Sequence, residues 1–312
     1  MSSVSMPARA ASPRRHRVVS TGVTRQGRHG YLFVLPALVC FAAIFIAPLA
    51  YAAYLSLFSS RLVGGTVFAG LQNYRDVWHD AAFRDGVLRM ARFLVTQVPV
   101  MLFLAVVFAL AIDSGRLWGA RFMRLSIFLP YAVPSVVAAL MWGYLYGPTF
   151  GPIAQTARHF GVSAPNLLGD TWMLPAIGNI VTWEFVGYNM IIFYAALRAI
   201  PPGLYEAAAV DGAGAVRTAI SIKLPALRPA LMLTAIFSVI GTFQLFTEPA
   251  IMFTVAPNTI NRSYTPNLYA FNLAFVDQRL NYAAALSFVL GGVIVIVTAI
   301  FIFVASRRRS HI

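Results

Sequence analysis

Residues 206–225 read EAAAVDGAGAVRTAISIKLP. On either side lies a long apolar run, Met173–Leu197 before and Ala230–Phe253 after. Each is long enough to cross a bilayer, which takes about 20 apolar residues as a helix. The segment between them is alanine-rich, charged, and holds Lys223, the only lysine in the chain. Its local reading is a helical hairpin. Ile200-Pro201-Pro202-Gly203 closes the preceding run, and Leu204–Asp211 forms a short helix of good formers. Gly212, with Gly214 behind it, supplies a sharp turn, and Ala215–Lys223 forms a second helix that Pro225 stops. The small side chains of Ala207, Ala208 and Ala209 let another backbone approach. Glu206 lies near the positive end of the first helix dipole.

The rest of the chain repeats the pattern of long apolar runs. It is 312 residues, 59% hydrophobic and 11% charged. A soluble domain carries roughly 25% charged residues, so the chain belongs in a membrane. Six runs have the length of a span, Tyr31–Phe58, Phe93–Ile112, Leu125–Tyr146, Met173–Leu197, Ala230–Phe253 and Ala283–Ala305. They are helices, because a span must satisfy its own backbone hydrogen bonds and no barrel-like alternation is present. The first run is too long for a signal-peptide core and lacks a small-residue cleavage site after it, so it reads as a retained span. Residues 1–30, with Arg9, Arg14, Arg15, Arg17, Arg25 and Arg28 among Ser, Gly and Pro, read as a disordered basic tail. Residues 307–312 form a second short tail.

Six spans put both termini and the 199–228 segment on one side. That side carries 16 basic residues against 8 on the other. The excess of Lys and Arg marks it as cytoplasmic. The net charge of +14 therefore follows from membrane topology, not from nucleic-acid binding. The connections on the other side, residues 59–92, 147–172 and 254–282, are too short for a separate soluble domain. Cys40 is the single cysteine and cannot form an intrachain disulfide. His16, His29, His79, His159 and His311 lie in tails or loops without metal-ligand spacing.

Physics alone leaves the 206–225 hairpin open between an interfacial amphipathic element and a docking element. Its spacing resembles a known motif. Glu206-Ala207-Ala208, then three residues, Gly212, then nine residues, and Ile222-Lys223-Leu224-Pro225 are similar to the EAA loop of binding-protein-dependent ABC importer permeases. Further stretches resemble the sugar-permease branch of that family, the maltose and glycerol-3-phosphate type. They are LPALVCFAAIFIAPLAYAAYLSLFS, FAGLQNYRDV, LFLAVVFALAID, RLSIFLPYAVPSVVAALMWGYLYGPTFGPI and ALRAIPPGLYEAAAVDGAGA, in the same order. The resemblance covers nearly the whole chain after residue 30. It implies an all-α fold of six membrane helices, with spans two to six as the transporter core and the first packed outside it. It also implies a second homologous permease subunit, two copies of an ABC ATPase, an extracellular solute-binding protein, a sugar-type substrate and a bacterial cytoplasmic membrane. Glu206, Ala207, Ala208, Asp211, Gly212, Ile222, Leu224 and Pro225 would form the coupling contact, with the first hairpin helix in a cleft of the ATPase. Two departures stand out. Where the family usually shows Asp and a Gly-Gly-Pro, this chain has Glu248-Pro249 and no Gly-Gly-Pro.

Energy must enter from outside this chain or from an ion gradient. A phosphate-binding loop ends in Gly-Lys-Ser/Thr, and Lys223 sits between Ile222 and Leu224. The chain is therefore expected to be a non-catalytic subunit with no cofactor of its own, ATP and Mg belonging to the partner ATPase.

Polar residues in spans are costly and usually face an interior. On the fifth run, Thr234, Ser238, Gly241, Thr242, Gln244 and Glu248 fall within an arc of about 160° at 100° per residue, leaving Leu233, Ile236 and Val239 toward lipid. The arc suits a sugar path, or helix packing through small and hydroxyl residues. On the fourth run, Asn179, Thr182 and Asn189 share one face and Glu184 and Tyr188 another; either face could meet substrate. Trp142 and Tyr144 on the third run read as stacking or interfacial-belt residues. Competing readings are a proton-coupled secondary carrier using Glu184 and Glu248, and a membrane scaffold that recruits an ATPase without transport. No inverted repeat supports the carrier, and the polar arc argues against the scaffold.

Overall fold

The computed structural model describes residues 26–61, 65–115 and 117–307. Most of the expected 1–30 tail and the end of the 307–312 tail lie outside the described residues. The chain falls into two compact units, one up to Tyr51 and one from Ala52 onward. The first holds α1 (Gln26–Phe41) and a π-turn over Ala42–Ile46. Then come α2 (Ala47–Ser56) and a short antiparallel hairpin, β1 (Phe58–Arg61) and β2 (Gly65–Phe68), with Phe58 opposite Phe68.

After α3 (Gln72–His79), α4 runs unbroken over Ala81–Asp113. It begins 12 residues before the expected Phe93, taking in Arg84, Arg89 and Arg92. Asp80 starts it as N-cap, its Oδ1 accepting from Ala82 N at 2.9 Å and Phe83 N at 3.3 Å. The third run, read as one span over Leu125–Tyr146, is broken. α5 (Ala120–Phe128) continues as a 3-10 turn to Ala132, and α6 (Ser135–Leu145) leaves at 99°. Pro134 is the cause: it holds Val133 in an extended conformation (φ −78°, ψ 129°), which no helix interior adopts.

α7 (Pro152–His159) leads to α8 (Asp170–Arg198), then α9 (Pro202–Val210) and α10 (Ala215–Thr218). A π-turn over Ala219–Lys223 passes directly into α11 (Leu224–Phe243), so the helix is continuous from Ala215. Pro225 was expected to stop the second hairpin helix and does not. Leu224 N–H reaches back to Ala219 O, and this widened turn accommodates the proline that follows. The expected fifth span, Ala230–Phe253, also needs correction. The helix ends at Phe243, Phe246 turns out of helical geometry (φ −137°, ψ −53°), and α12 (Thr247–Val255) starts afresh. α13 (Pro266–Phe271), a π-turn to Val276 and α14 (Leu280–Arg307) complete the order.

Five of these helices are long and apolar enough to cross a membrane; the bent α5–α6 pair makes a sixth if it is one span. Within the second unit, α4 and α8 pack along each other, and α11 lies against both. A close backbone approach to a neighbour occurs at Gly187 of α8. A Cβ there would collide with the carbonyl of Ile127, so only glycine allows α8 to lie against the end of α5. Two apolar clusters fill the interior. One, around Met101, Ala105, Met190, Phe193 and Leu227, sits toward the α9–α10 hairpin. The other, around Phe83, Phe93, Ile177, Phe243 and Leu286, occupies the opposite half.

Candidate substrate cavity and coupling hairpin

The α9–α10 hairpin follows the local rules of its sequence. Pro202 occupies the first turn of α9, where its missing N–H costs nothing. Gly212 takes the left-handed conformation (φ +71°). Gly212 N then donates to Ala209 O at 3.1 Å and Ala213 N to Ala208 O at 2.8 Å, the paired bonds of a Schellman cap. Glu206, Ala207, Asp211, Gly212 and Pro225 are exposed, as are the apolar Val210, Val216 and Ile220. Ile222 and Leu224, with Tyr205, pack against the nearby apolar cluster. Ala208 is half-buried. The motif residues are thus divided between an exposed outer surface and an inward anchor.

Lys223 has a specific partner. Its Nζ lies 2.5 Å from Asp113 Oδ2, at the end of α4, and 5.5 Å from the centre of the Tyr205 ring on α9. It is therefore more than a topological charge.

Between α4, α8, α11 and α12 lies a cavity of about 310 Å³. α4 contributes Phe93, Gln97, Val98 and Met101; α8 contributes Val181, Phe185, Tyr188 and Asn189. All six residues of the polar arc, Thr234, Ser238, Gly241, Thr242, Gln244 and Glu248, line it, although the helix carrying them breaks after Phe243. The break replaces the uniform 100° step, so the shared surface comes from tertiary placement of α12 as well as from periodicity. The hydroxyls of Thr234, Ser238 and Thr242 donate to carbonyls one turn back in their own helix. Their oxygen lone pairs remain available as acceptors. Val239, expected toward lipid, is buried; Leu233 is exposed and Ile236 half-buried.

On α8 the cavity meets one residue from each expected face, Tyr188 and Asn189. Asn179 and Thr182 do not line it. Asn179 Nδ2 donates to Tyr146 Oη at 2.8 Å, and Gln97 Nε2 donates to Thr182 Oγ1 at 3.0 Å. Glu184 is also outside the lining; it is 2% exposed, and neither of its oxygens has a well-formed hydrogen bond. Its polar neighbours are Glu248, which does line the cavity, and Ser135. Trp142 stands edge-on to Trp183 at 5.9 Å inside the fold, while Tyr144 is exposed. Sequence reading missed the α4 wall. Gln97, the one amide in the apolar Phe93–Ile112 run, was the available signal. The aromatic surfaces of Phe93, Phe185, Phe237 and Phe246 carried none, since phenylalanine is equally at home against lipid.

Among the described residues, no group of three or more His, Cys, Asp or Glu side chains is placed to hold a metal. Spanning helices around a cavity lined by apolar side chains and a polar arc define a polytopic membrane protein of the transporter class. The chain belongs to the family described as binding-protein-dependent transport system inner membrane component, whose model matches residues 101–310. It is similar to the lactose transport system permease protein LacF of Rhizobium radiobacter, 30% identical over 288 residues, covering 90% of this chain and 95% of that one. It is also similar to the sn-glycerol-3-phosphate transport system permease protein UgpA of Shigella flexneri, 32% identical over 284 residues, 89% of this chain and 95% of that one. The fold matches a chain of a bacterial ABC transporter involved in the import of the acidic polysaccharide alginate, with a TM-score of 0.76 at 17% identity, covering 90% of this chain and 96% of that one.

Proposed function

We propose that this chain is the permease subunit of an ATP-driven importer that moves a sugar or sugar-like solute across the bacterial cytoplasmic membrane. It works with a second homologous permease, two copies of an ABC ATPase and an extracellular solute-binding protein. The ATPase holds ATP and Mg, and both termini and the hairpin lie on its side of the membrane. The observation that carries this reading is a shared scaffold. The helices on either side of the hairpin, α8 and α11, are also two of the walls of the cavity. Movement of the hairpin therefore moves the cavity. The relatives are permeases of sugar and polyol-phosphate systems, and a solved relative of the same fold was captured with an alginate pentasaccharide-bound periplasmic protein. Hydroxyl and amide groups beside aromatic faces suit a polyhydroxylated cargo.

The exposed residues of α9, Glu206 and Ala207, with Asp211 and Gly212 behind them, form the ATPase contact; Ile222, Leu224 and Ala208 seat it. Closure of the ATPase dimer then acts as a rigid-body input to α8 and α11. The test is uptake of labelled disaccharides into proteoliposomes holding the complex assembled from this chain and its co-expressed subunits, with the binding protein outside. Uptake is expected to require ATP inside and to fail with Gly212→Pro at unchanged insertion. Uptake that persists without ATP and collapses with the proton gradient would establish the secondary carrier instead. An assembled, ATP-hydrolysing complex that moves no sugar would establish the scaffold.

A further inference from the structure

α4 supplies one wall of the cavity but has no covalent link to the hairpin. α8 ends at Arg198 and α11 begins beyond the hairpin, so both are pulled directly by the chain. α4 must be reached through contacts. Its apolar inner end packs with Ile222 and Leu224, a greasy surface that resists separation but permits sliding. A directional contact exists there. Asp113, the last residue of α4, pairs with Lys223 at 2.5 Å, and their side chains are 7% and 15% exposed. The Lys223 ammonium also lies 5.5 Å from the Tyr205 ring centre, within reach of a cation–π attraction. The Tyr205 hydroxyl is buried without a hydrogen-bond partner. Burial first, and the Asp113 charge after it, hold that hydroxyl above its ordinary pKa, so it stays neutral beside the pair. Lys223 closes the π-turn of residues 219–223, the one widened turn in the continuous helix Ala215–Phe243. Such insertions re-aim the residues around them.

We infer that Lys223, Asp113 and Tyr205 form a strut that fixes the inner end of α4 to both helices of the hairpin. Hairpin displacement then reaches the Phe93–Met101 wall of the cavity as well as the α8 and α11 walls. From Asp113 to Gln97 is 16 residues along one continuous helix, about 24 Å at the helical rise. The only lysine of the chain is thus a positioning residue of the transport cycle. The inference rests on the proposal that the hairpin receives the ATPase, and the controls below separate the two.

The experiment uses the full complex in proteoliposomes with Lys223→Met, Asp113→Asn, and the charge-swapped pair Lys223→Asp with Asp113→Lys. It measures ATPase co-purification, ATP hydrolysis and solute uptake per ATP hydrolysed. Each single variant is expected to keep the ATPase bound and to lower uptake per ATP by about tenfold, within the usual span of coupling free energies. The swapped pair is expected to recover most of that loss. A spin label at exposed Val95 of α4 and another at exposed Trp172 of α8, in a Cys40→Ser background, report the wall directly. Their ATP-dependent distance change should depart from the native one in Lys223→Met, where α8 moves without α4, and return to it in the swapped pair, a result that a purely structural role would not give. Unchanged uptake per ATP in the single variants, or a wild-type distance change in Lys223→Met, overturns the strut. If a single variant fails to assemble, the swapped pair decides: restored coupling and distance change support the strut, and assembly without them overturns it. Glu206→Lys and Gly212→Pro serve as controls. If they leave uptake per ATP intact, the coupling role of the hairpin fails; if they abolish it while the strut variants do not, only the strut fails.

Discussion

Asp80 shows how much one carboxylate can hold. Its Oδ1 caps α4, and its Oδ2 accepts from Tyr269 Oη and Tyr282 Oη, each at 2.8 Å. α4 and two elements distant from it in sequence, α13 and α14, therefore meet at this residue. Loss of the cap costs about 1 kcal/mol, and each charge-assisted bond adds on the order of 1 kcal/mol more. Asp80→Ala is expected to destabilise the solubilised protein by about 3 kcal/mol in thermal unfolding. Asp80→Asn, which keeps an acceptor oxygen, should cost less; equal melting of Asp80→Ala and the native chain would remove the residue from this role. Tyr269 also sets a pH limit. Burial, then its bond to Asp80, pushes its hydroxyl up to about 12 from an ordinary 10. A group whose folded pKa is raised stabilises fully below its unfolded value and loses that contribution as pH rises through the folded one. Stability should thus be flat up to pH 10 and fall between 10 and about 12, a fall that Tyr269→Phe reduces.

At the scale of elements, composition and run length were enough to find the spanning helices, though not their ends, because the cost of unpaired backbone in lipid leaves the chain little choice. The turn of the hairpin was legible for a different reason: Gly212 has a strong local preference that packing does not overturn, whereas Pro202, read as closing the run before it, opens α9 instead. Two breaks escaped. LPYAVP, residues 129–134, reads as apolar and span-like, yet Pro134 turns the chain through 99°. Gln244–Phe246 contains neither Gly nor Pro, so nothing local marks the end of α11. There the break is stabilised from outside: Thr265 Oγ1 donates to Leu245 O and Asn267 Nδ2 to Gln244 O, taking up carbonyls that the helix no longer uses. Residues 20 and 23 positions away decide that geometry, and a local reading cannot see them. The bent pair in turn depends on Gly187, where α8 meets the Ile127 carbonyl. Gly187→Ala should push α5 from α8 and cost about 2 kcal/mol. Limited proteolysis near residues 115–119 should quicken as well; a variant as stable and as resistant as the native chain would mean the backbones can part without loss.

For the whole molecule, the polar residues of the spans fall into two groups that sequence alone could not separate. Gln244, Glu248, Ser238, Thr242, Tyr188 and Asn189 face the cavity. Asn179 and Thr182 face partners, Tyr146 and Gln97, and hold helices together. Both groups satisfy the rule that polar groups in a span avoid lipid, which is why periodicity put them in one set. Their consequences differ. Gln244→Ala removes an exposed amide from the cavity rim without deleting a bond between helices. It is expected to lower uptake several-fold and leave thermal unfolding unchanged. Asn179→Ala leaves the buried Tyr146 hydroxyl without its donor, a loss on the order of 1 kcal/mol. That variant should melt earlier while its uptake per assembled complex stays the same. Glu184→Ala tests the boundary between the groups. It removes an enclosed carboxyl next to Glu248 without opening the cavity lining. If Glu184 acts by setting where the Glu248 carboxyl points, uptake falls and Glu184→Gln, which keeps the shape, restores most of it. If both variants melt normally and transport normally, the buried carboxyl has no part in the path, and of the two carboxyls only Glu248 serves the cavity.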